Sequence, residues 1–152
     1  MLKFSTTEIS KIINGKLIRK SGFQNQIITQ IITDSRTFFK NSNSLFFALI
    51  GPRNNGHSYV EELSTKGISV FVVSDAALVN TKANFILVED TTKALQKLAA
   101  FNRDRQNYPV VGITGSNGKT IIKEWLNDLL SDNYKIVRSP KSYNSQIGVP
   151  LS

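Results

Sequence analysis

The chain has 152 residues, 40% of them hydrophobic, which suits one ordinary core or two small ones. It has no cysteine and a single histidine, which excludes disulfides and thiolate metal sites and argues against a zinc cluster. The net charge of +8 comes from 19 Lys and Arg against 11 Asp and Glu that are spread over both halves without a basic tail, so it predicts a solvated surface and no nucleic-acid partner.

Signals for export or membrane insertion are missing from the sequence. The N-terminal stretch holds no apolar run of signal-peptide length. No apolar run elsewhere approaches the roughly 18 residues that a membrane span requires. The sequence therefore predicts a cytoplasmic protein without membrane insertion.

The first half of the chain predicts a small α/β unit over residues 1–88. Ser5 and Glu8 have the spacing of a capping box, which predicts a helix that ends at Gly15. The turn-forming pair Asp34 and Ser35 ends a β-rich run, and the composition of residues 51–56 predicts a loop. Apolar and β-branched runs predict strands over 17–18, 27–33, 44–49, 70–73 and 85–88, with a helix over 60–66.

The pattern restarts after residue 88. Thr91 or Thr92 is expected to cap a helix that carries Leu95, Leu98, Ala99 and Phe101 on one face. Residues 110–114 read as a buried parallel strand and residues 135–137 as the next strand. Between them, apolar residues at 122, 125, 126, 129 and 130 predict a helix that starts at Lys119 and packs through one face.

A glycine-rich loop joins the predicted strand 110–114 to the helix that follows, which is the setting of a phosphate-binding P-loop. It consists of Gly115, Ser116, Asn117, Gly118, Lys119 and Thr120. Glycines let backbone N–H groups close around phosphate oxygens, the lysine reaches the terminal phosphates, and the threonine hydroxyl can bind magnesium. The loop therefore predicts binding of ATP with Mg²⁺, although the upstream glycine, Gly112, lies one position further from Gly118 than in the general pattern.

The variant spacing over residues 112–120 resembles the loop of the Mur ligase family. Further segments resemble that family's signatures in the same order: 33–36 (TDSR), 45–49 (LFFAL), 51–59 (GPRNNGHSY) and 141–152 (KSYNSQIGVPLS). The resemblance is strongest to the branch that adds D-alanyl-D-alanine to UDP-N-acetylmuramoyl-tripeptide. The chain departs from the family pattern at Asn55, Ile121 and Ser145.

The resemblance implies a fold, a reaction and a set of site residues. It implies that residues 1–88 form a UDP-precursor-binding α/β domain and that residues 89–152 begin a Rossmann-like, parallel-sheet P-loop ATPase domain. The implied reaction is an ATP-dependent amide ligation through an acyl phosphate, with Lys119 and Thr120 as catalytic residues and Thr120 as a ligand of Mg²⁺. The implied substrate contacts are Ser35, Arg36, Asn55, Gly56, His57 and Asn144.

The residues alone leave several alternatives open. Asp34 and Ser35 fit a simple turn, His57 fits a helix cap, and Asn144 fits a turn. A ligase that adds the third amino acid of the peptide shares the loop and the TDSR-like segment. Folylpolyglutamate synthase has a related loop but lacks a UDP-binding unit before it, and a non-catalytic nucleotide-binding module is a further alternative.

The 32 residues after Thr120 are too few for the remaining strands of a P-loop domain. The sequence therefore predicts that the ATPase domain is only begun here. It also predicts that the chain alone lacks ligase activity and binds ATP weakly. Residues 89–152 are expected either to be mobile or to pair with a second copy of the chain.

Overall fold

The computed structural model describes residues 3–38, 43–79, 83–140, 143 and 145–152. The strands in these ranges are β1 (Phe4–Ser5), β2 (Lys16–Ile18), β3 (Ile27–Ile28), β4 (Gln30–Ile32), β5 (Ser44–Phe47), β6 (Val70–Val73) and β7 (Asn84–Leu87). The α-helices are α1 (Thr6–Ile12), α2 (Val60–Thr65), α3 (Thr91–Asp104) and α4 (Lys119–Leu130). Short 3-10 helices cover Ser35–Thr37, Gly56–Tyr59, Ala76–Leu78 and Val149–Leu151.

A five-stranded sheet with the order β2-β7-β6-β5-β4 forms the centre of the unit. The strands β4, β5, β6 and β7 are parallel, and β2 joins the edge antiparallel to β7. The β-rich run predicted over 27–33 is divided, because β3 pairs with β1 in a separate two-stranded ribbon while β4 joins the main sheet. The carboxyl ends of the four parallel strands meet at one edge, where open α/β sheets place their ligand sites.

The two faces of the sheet are covered by different helices. Leu45, Val70 and Ile86 point into a core shared with α1 and α3, whereas their neighbours Phe46 and Phe71 point into a second core with α2. On the α2 side the rings of Phe46, Phe71 and Phe85 are fully buried, with centroids 6.2 Å and 5.6 Å apart. This three-layer arrangement confirms the predicted α/β class.

The start of α1 is the predicted capping box. The Ser5 hydroxyl accepts from the Glu8 N–H at 3.2 Å, and the Glu8 carboxylate accepts from the Ser5 N–H at 2.7 Å. The end differs from the prediction, because the left-handed residue is Asn14, with φ of 55°. Gly15 serves close packing instead: a Cβ there would lie 2.3 Å from the Ile86 side chain.

The helix α3 belongs to the core of the first unit. Its buried residues Ala94, Leu95 and Leu98 pack in the cluster that α1 and the sheet form. The predicted cap at Thr91 or Thr92 was wrong, because the Asp90 carboxylate accepts the N–H groups of Thr92 and Lys93 at 2.8 Å and 2.9 Å. Thr91 is buried instead, and its hydroxyl donates to the carbonyl of Ala48 at 3.0 Å.

The C-terminal segment 145–152 also packs on this unit. Ile147 and Leu151 contact the core that α3 shares, and the Gln96 amide donates to the Gln146 carbonyl at 3.2 Å. The Ser145 hydroxyl accepts from the Gly148 N–H at 2.9 Å, which fixes the turn before the last 3-10 helix. Residues 106–140 therefore connect α3 to the segment 145–152, and both of these pack on the same hydrophobic core.

The Leu151→Ala variant is expected to lower the free energy of unfolding by about 1–2 kcal/mol, because it deletes a partly buried apolar contact with the core. Val149 lies in the same 3-10 helix but is 63% exposed, so Val149→Ala is the matched control and should change stability by less than about 0.5 kcal/mol. Urea unfolding of both variants measures the difference. Equal stabilities would contradict the anchoring of this segment.

The strands predicted over 110–114 and 135–137 are not formed. Val110, Val111 and Val137 are exposed, and neither segment pairs with a strand among the described residues. A parallel strand needs a neighbour to satisfy its backbone groups, so an apolar pattern alone does not produce one. The helix α4 forms as predicted, but none of its residues is buried, and its apolar residues Ile121, Ile122, Trp125, Leu129 and Leu130 are exposed.

Candidate functional site

The glycine loop adopts a conformation that only glycine tolerates well at two positions. Gly115 has φ of 146° and Gly118 has φ of 78°. Gly118 is the N-cap residue of α4, and its carbonyl accepts from the Ile122 N–H at 2.9 Å. No side chain in the described part of the chain caps this helix, so the N–H groups of its first turn point out beside the loop. This geometry can hold an anion.

Lys119 lies over the loop that it follows. Its ammonium group donates to the carbonyl oxygens of Gly115 and Ser116, at 2.5 Å and 3.4 Å. The charge is therefore held beside the N-terminus of α4, where a phosphate oxygen can replace the carbonyl as its partner. Thr120, the next residue of α4, is exposed, so its hydroxyl is accessible at the same end of the helix.

An ion-pair network fixes the segment after α4 to that helix. Glu124 pairs with Lys123 at 3.1 Å and also with Arg138. The Lys123 ammonium donates to the carbonyl of Ser139 at 3.0 Å, and its side chain is mostly buried. The loop, α4 and residues 135–140 are thereby joined without a strand between them.

The TDSR segment follows the end of β4. The Asp34 carboxylate caps the 3-10 helix Ser35–Thr37 by accepting from the Arg36 N–H at 3.0 Å. The same carboxylate binds the Arg36 guanidinium, with Nε at 2.9 Å and Nη2 at 2.6 Å. These hydrogen bonds to Arg36 lower the pKa of Asp34 to about 2, so the carboxylate is charged at neutral pH. Ser35 and Arg36 thus share one short, exposed turn.

Asn55 and Gly56 fold the next loop against the end of β5. The Asn55 side chain accepts from the His57 N–H at 3.1 Å and so caps the 3-10 helix Gly56–Tyr59. Gly56 is buried, and its N–H donates to the Leu49 carbonyl at 2.7 Å. A Cβ on Gly56 would lie 2.7–2.9 Å from the backbone of Leu49 and Ala48. Asn55, and not His57, is therefore the cap.

His57 connects this loop to the end of β6. The residue is 6% exposed, its Nδ1 lies 2.8 Å from the side-chain Oδ1 of Asn55, and its Nε2 accepts from the Ser74 N–H at 2.9 Å. The Ser74 bond requires a bare Nε2, so the proton is on Nδ1 and the ring is neutral. Burial lowers the pKa of His57, against a smaller opposing effect of Asp75. Both ring nitrogens of His57 are engaged by protein groups.

Acidification is expected to destabilise the fold through His57, the single histidine of the chain. Its pKa in the folded state lies below the ordinary value of 6.5, so the unfolded chain binds the proton more tightly and stability falls as the pH drops below about 6.5. Urea unfolding of the wild type and of His57→Gln between pH 7.5 and about 5 measures the effect. The variant should lack the loss, and equal slopes would contradict the assignment.

Two segments that are distant in the sequence line a cleft of about 540 Å³. Thr33, Asp34 and Thr37 contribute from the end of β4, and Tyr143 and Ser145 contribute from the C-terminal segment. Asn144, predicted as a substrate contact, lies outside the described residues. The lining is completed by Ile31, Pro140, Ile147, Gly148 and Leu151.

The structure groups the predicted site residues into two places. Residues 115–120 form the glycine loop, and Ser35, Arg36 and residues 55–57 follow neighbouring parallel strands at one edge of the sheet. The sequence reasoning missed Asp34 as a partner of Arg36 and Ser74 as a partner of His57. The i,i+2 spacing of the acidic and basic residues was a signal for the first pair, and nothing in the local sequence indicates the second.

Comparisons with known proteins show which family the chain belongs to. Residues 27–103 match the family described as Mur ligase family, catalytic domain. The chain is 33% identical over 154 residues to the UDP-N-acetylmuramoyl-tripeptide–D-alanyl-D-alanine ligase of Bacillus subtilis, covering 100% of this chain and 33% of that protein.

Two solved structures with names from the same family superpose well on this chain. The crystal structure of MurF from Acinetobacter baumannii superposes with a TM-score of 0.88 at 29% identity, covering 98% of this chain and 32% of that one. The MurF ligase from Thermotoga maritima in complex with ADP superposes with a TM-score of 0.71 at 29% identity, covering 80% of this chain and 28% of that one. The chain thus spans about a third of the length of these relatives.

Proposed function

Because the chain belongs to the Mur ligase family, we propose that it supplies the precursor-binding unit and the phosphate loop of an ATP-dependent, ADP-forming ligase. The proposed substrates are UDP-N-acetylmuramoyl-tripeptide and D-alanyl-D-alanine, which are the substrates in the name of the Bacillus subtilis relative. The glycine loop carries the proposal, since the carbonyl oxygens of Gly115 and Ser116 hold the Lys119 ammonium group beside the open N-terminus of α4. ATP and a UDP-linked precursor as substrates would place the ligase in the cytoplasm.

The proposed reaction proceeds through an acyl phosphate. A carboxylate oxygen of the tripeptide precursor bonds to the γ-phosphorus of ATP, and ADP leaves. The amine of D-alanyl-D-alanine then bonds to the acyl carbon and loses a proton. The bond between the acyl carbon and the phosphate oxygen breaks, and phosphate leaves with the electrons of that bond and takes up the proton. Lys119 and the loop N–H groups would neutralise the charge on the transferred phosphoryl group and align it, which is what phosphoryl transfer requires of a protein.

Magnesium fits the same end of α4. The exposed hydroxyl of Thr120 is an oxygen ligand of the type that Mg²⁺ accepts together with phosphate oxygens and water. Within the described residues, no group of three or more His, Asp or Glu could hold a metal ion. Thr120 would therefore hold the ion jointly with the phosphates, where the ion supplies positive charge.

The first unit is proposed to bind the UDP end of the precursor, with Ser35 and Arg36 as contacts. Substrate contact by Asn55, Gly56 and His57 stays a prediction, because the hydrogen bonds of these residues in the structure are to protein groups. Asn144 is proposed to face the phosphates or the activated carboxylate. The division into domains over 1–88 and 89–152 stays a prediction, although α3 packs in the core of the first unit.

Within the described residues, no helix combines the length and the apolar character that a membrane crossing needs. Pairing with a second copy of the chain through α4 stays a prediction. It is supported by the exposed Ile121, Trp125 and Leu129 on that helix.

A chimera tests the proposed function. This chain would replace the matching third of the Bacillus subtilis ligase, and ADP release would be measured with UDP-N-acetylmuramoyl-tripeptide and D-alanyl-D-alanine. We expect ADP release that depends on both substrates. Activity with a single amino acid and the dipeptide precursor would favour the ligase that adds the third residue. ATP binding without ligation would favour a non-catalytic nucleotide module.

The 152-residue chain alone is expected to bind Mg-ATP weakly and to show no ligase activity. The loop and α4 offer phosphate contacts, but the apolar face of α4 is exposed, and the clefts lined by Phe4 and by Ile31 include no residue of that helix. Calorimetry with Mg-ATP, combined with hydrogen exchange along the chain, measures both properties. Micromolar affinity with strong protection through Leu130 would instead show a self-sufficient nucleotide module.

A further inference from the structure

Asp34 and Arg36 form a more ordered pair than their exposure would suggest. The Arg36 side chain is 86% exposed and that of Asp34 is 38% exposed. Even so, one carboxylate binds the Arg36 backbone N–H and two nitrogens of its guanidinium. The Asp34 carbonyl additionally accepts from the N–H and the hydroxyl of Thr37. The turn is therefore held from both of its ends.

The Asp34 carboxylate contributes to stability as a helix cap, but the ion pair with the Arg36 guanidinium adds little. Exposed ion pairs contribute little to folding, because solvent screens them and both side chains lose freedom. A long exposed arginine otherwise samples many rotamers, and ordering it when a ligand binds weakens affinity. An aspartate that orders the arginine beforehand removes that loss. A pair of this kind can therefore favour the binding of an anion.

The geometry leaves one edge of the guanidinium available. Asp34 binds Nε and Nη2, so Nη1 lies on the far side from the carboxylate. An arginine held in this way presents N–H donors in a fixed direction, which suits the oxygens of a phosphate group. Asp34 also lines the cleft between the end of β4 and the C-terminal segment, two residues before Arg36 in the sequence.

We propose that Asp34 is a positioning residue that orients Arg36 to bind the diphosphate of the UDP-linked precursor. The inference depends on the proposed function of the first unit. The inference predicts the opposite effect from simple electrostatics. Removing the negative charge of Asp34 near a bound anion would by charge alone strengthen binding of that anion. If Asp34 acts by positioning Arg36, its removal weakens binding instead.

The experiment is a titration of the 152-residue chain with UDP, followed by amide NMR shifts. Asp34→Asn keeps an oxygen that can cap Arg36 but loses the ion pair, and Arg36→Gln loses the guanidinium. Each variant should bind UDP about tenfold more weakly, the effect of losing a charge-assisted hydrogen bond. The double variant should bind no more weakly than Arg36→Gln alone, because Asp34 acts through Arg36.

Asp75→Asn is the matched control. Asp75 caps the 3-10 helix Ala76–Leu78 through a 2.9 Å bond from the Ala77 N–H, at the same edge of the sheet, and the ion pairs between described residues do not include it. It should leave UDP affinity unchanged, and the thermal midpoint of Asp34→Asn should equal that of the wild type.

Two results would overturn the inference while the proposed function stands. One is weaker binding by Arg36→Gln with unchanged or tighter binding by Asp34→Asn. The other is a double variant whose loss is the product of the two single losses. If the wild type does not bind UDP, or if Arg36→Gln binds it normally, the proposed role of Arg36 fails first and the inference fails with it.

Discussion

The Lys119→Ala variant of the chimera with the Bacillus subtilis ligase should lose ligation by about a thousandfold. The ammonium group that the loop carbonyls of Gly115 and Ser116 hold beside the N-terminus of α4 is deleted. Removing one preorganised charge from a phosphoryl-transfer site typically costs two to three orders of magnitude in rate. ADP release at saturating precursor and dipeptide gives the turnover number.

The control for this variant is Lys97→Ala. Lys97 is an exposed lysine of α3, so the substitution removes the same charge from the chain at a distance from the loop. Its turnover should stay within a factor of two of the wild type. Comparable turnover in the Lys119→Ala and Lys97→Ala chimeras would reject the assignment of a P-loop.

The Gly56→Ala variant should lose about 3 kcal/mol of folding stability. A Cβ there would lie 2.7–2.9 Å from the backbone of Leu49 and Ala48, and backbone cannot move aside as a flexible side chain can. Relief of this overlap would pull apart the Gly56 to Leu49 hydrogen bond and the bridge between Ile50 and Asn55. Urea unfolding at pH 7.5 measures the change.

Gly51→Ala provides a control in the same loop. A Cβ on Gly51 would meet its nearest atom, the Asn54 carbonyl oxygen, at 3.5 Å, which is ordinary contact. Its stability should therefore change by less than about 0.5 kcal/mol. If the two alanine variants unfold at the same urea concentration, the close approach of Gly56 to the strand end is wrong.

The fold of the first unit follows closely from local sequence patterns. The alternation of Leu45, Phe46 and Phe47 matches the two faces of the sheet, and Ser5 with Glu8 forms the capping box. Such features depend on neighbours in sequence, so the sequence alone predicts them. The strand over 110–114 failed for the opposite reason: whether an apolar run becomes a strand depends on a partner that its own residues do not specify.

The candidate site likewise has features that the local sequence predicts and features that depend on residues distant in the sequence. The glycine loop was predictable because its function depends on six consecutive residues and the helix after them. The position of His57 was not, since its ring accepts from Ser74, 17 residues away on another strand end. The cleft that unites Thr33 with Tyr143 depends on a still longer separation.

Trp125 gives the chain an optical reporter at a useful place. It is the single tryptophan of the sequence, and it lies on α4 with 63% of its surface exposed. Its emission therefore reports on the helix that follows the glycine loop and on no other element. Any molecule that covers the apolar face of α4 should shift that emission to shorter wavelength, whereas UDP bound beside Arg36 should leave it unchanged. Tryptophan fluorescence can thus distinguish binding at α4 from binding beside Arg36 without an added label.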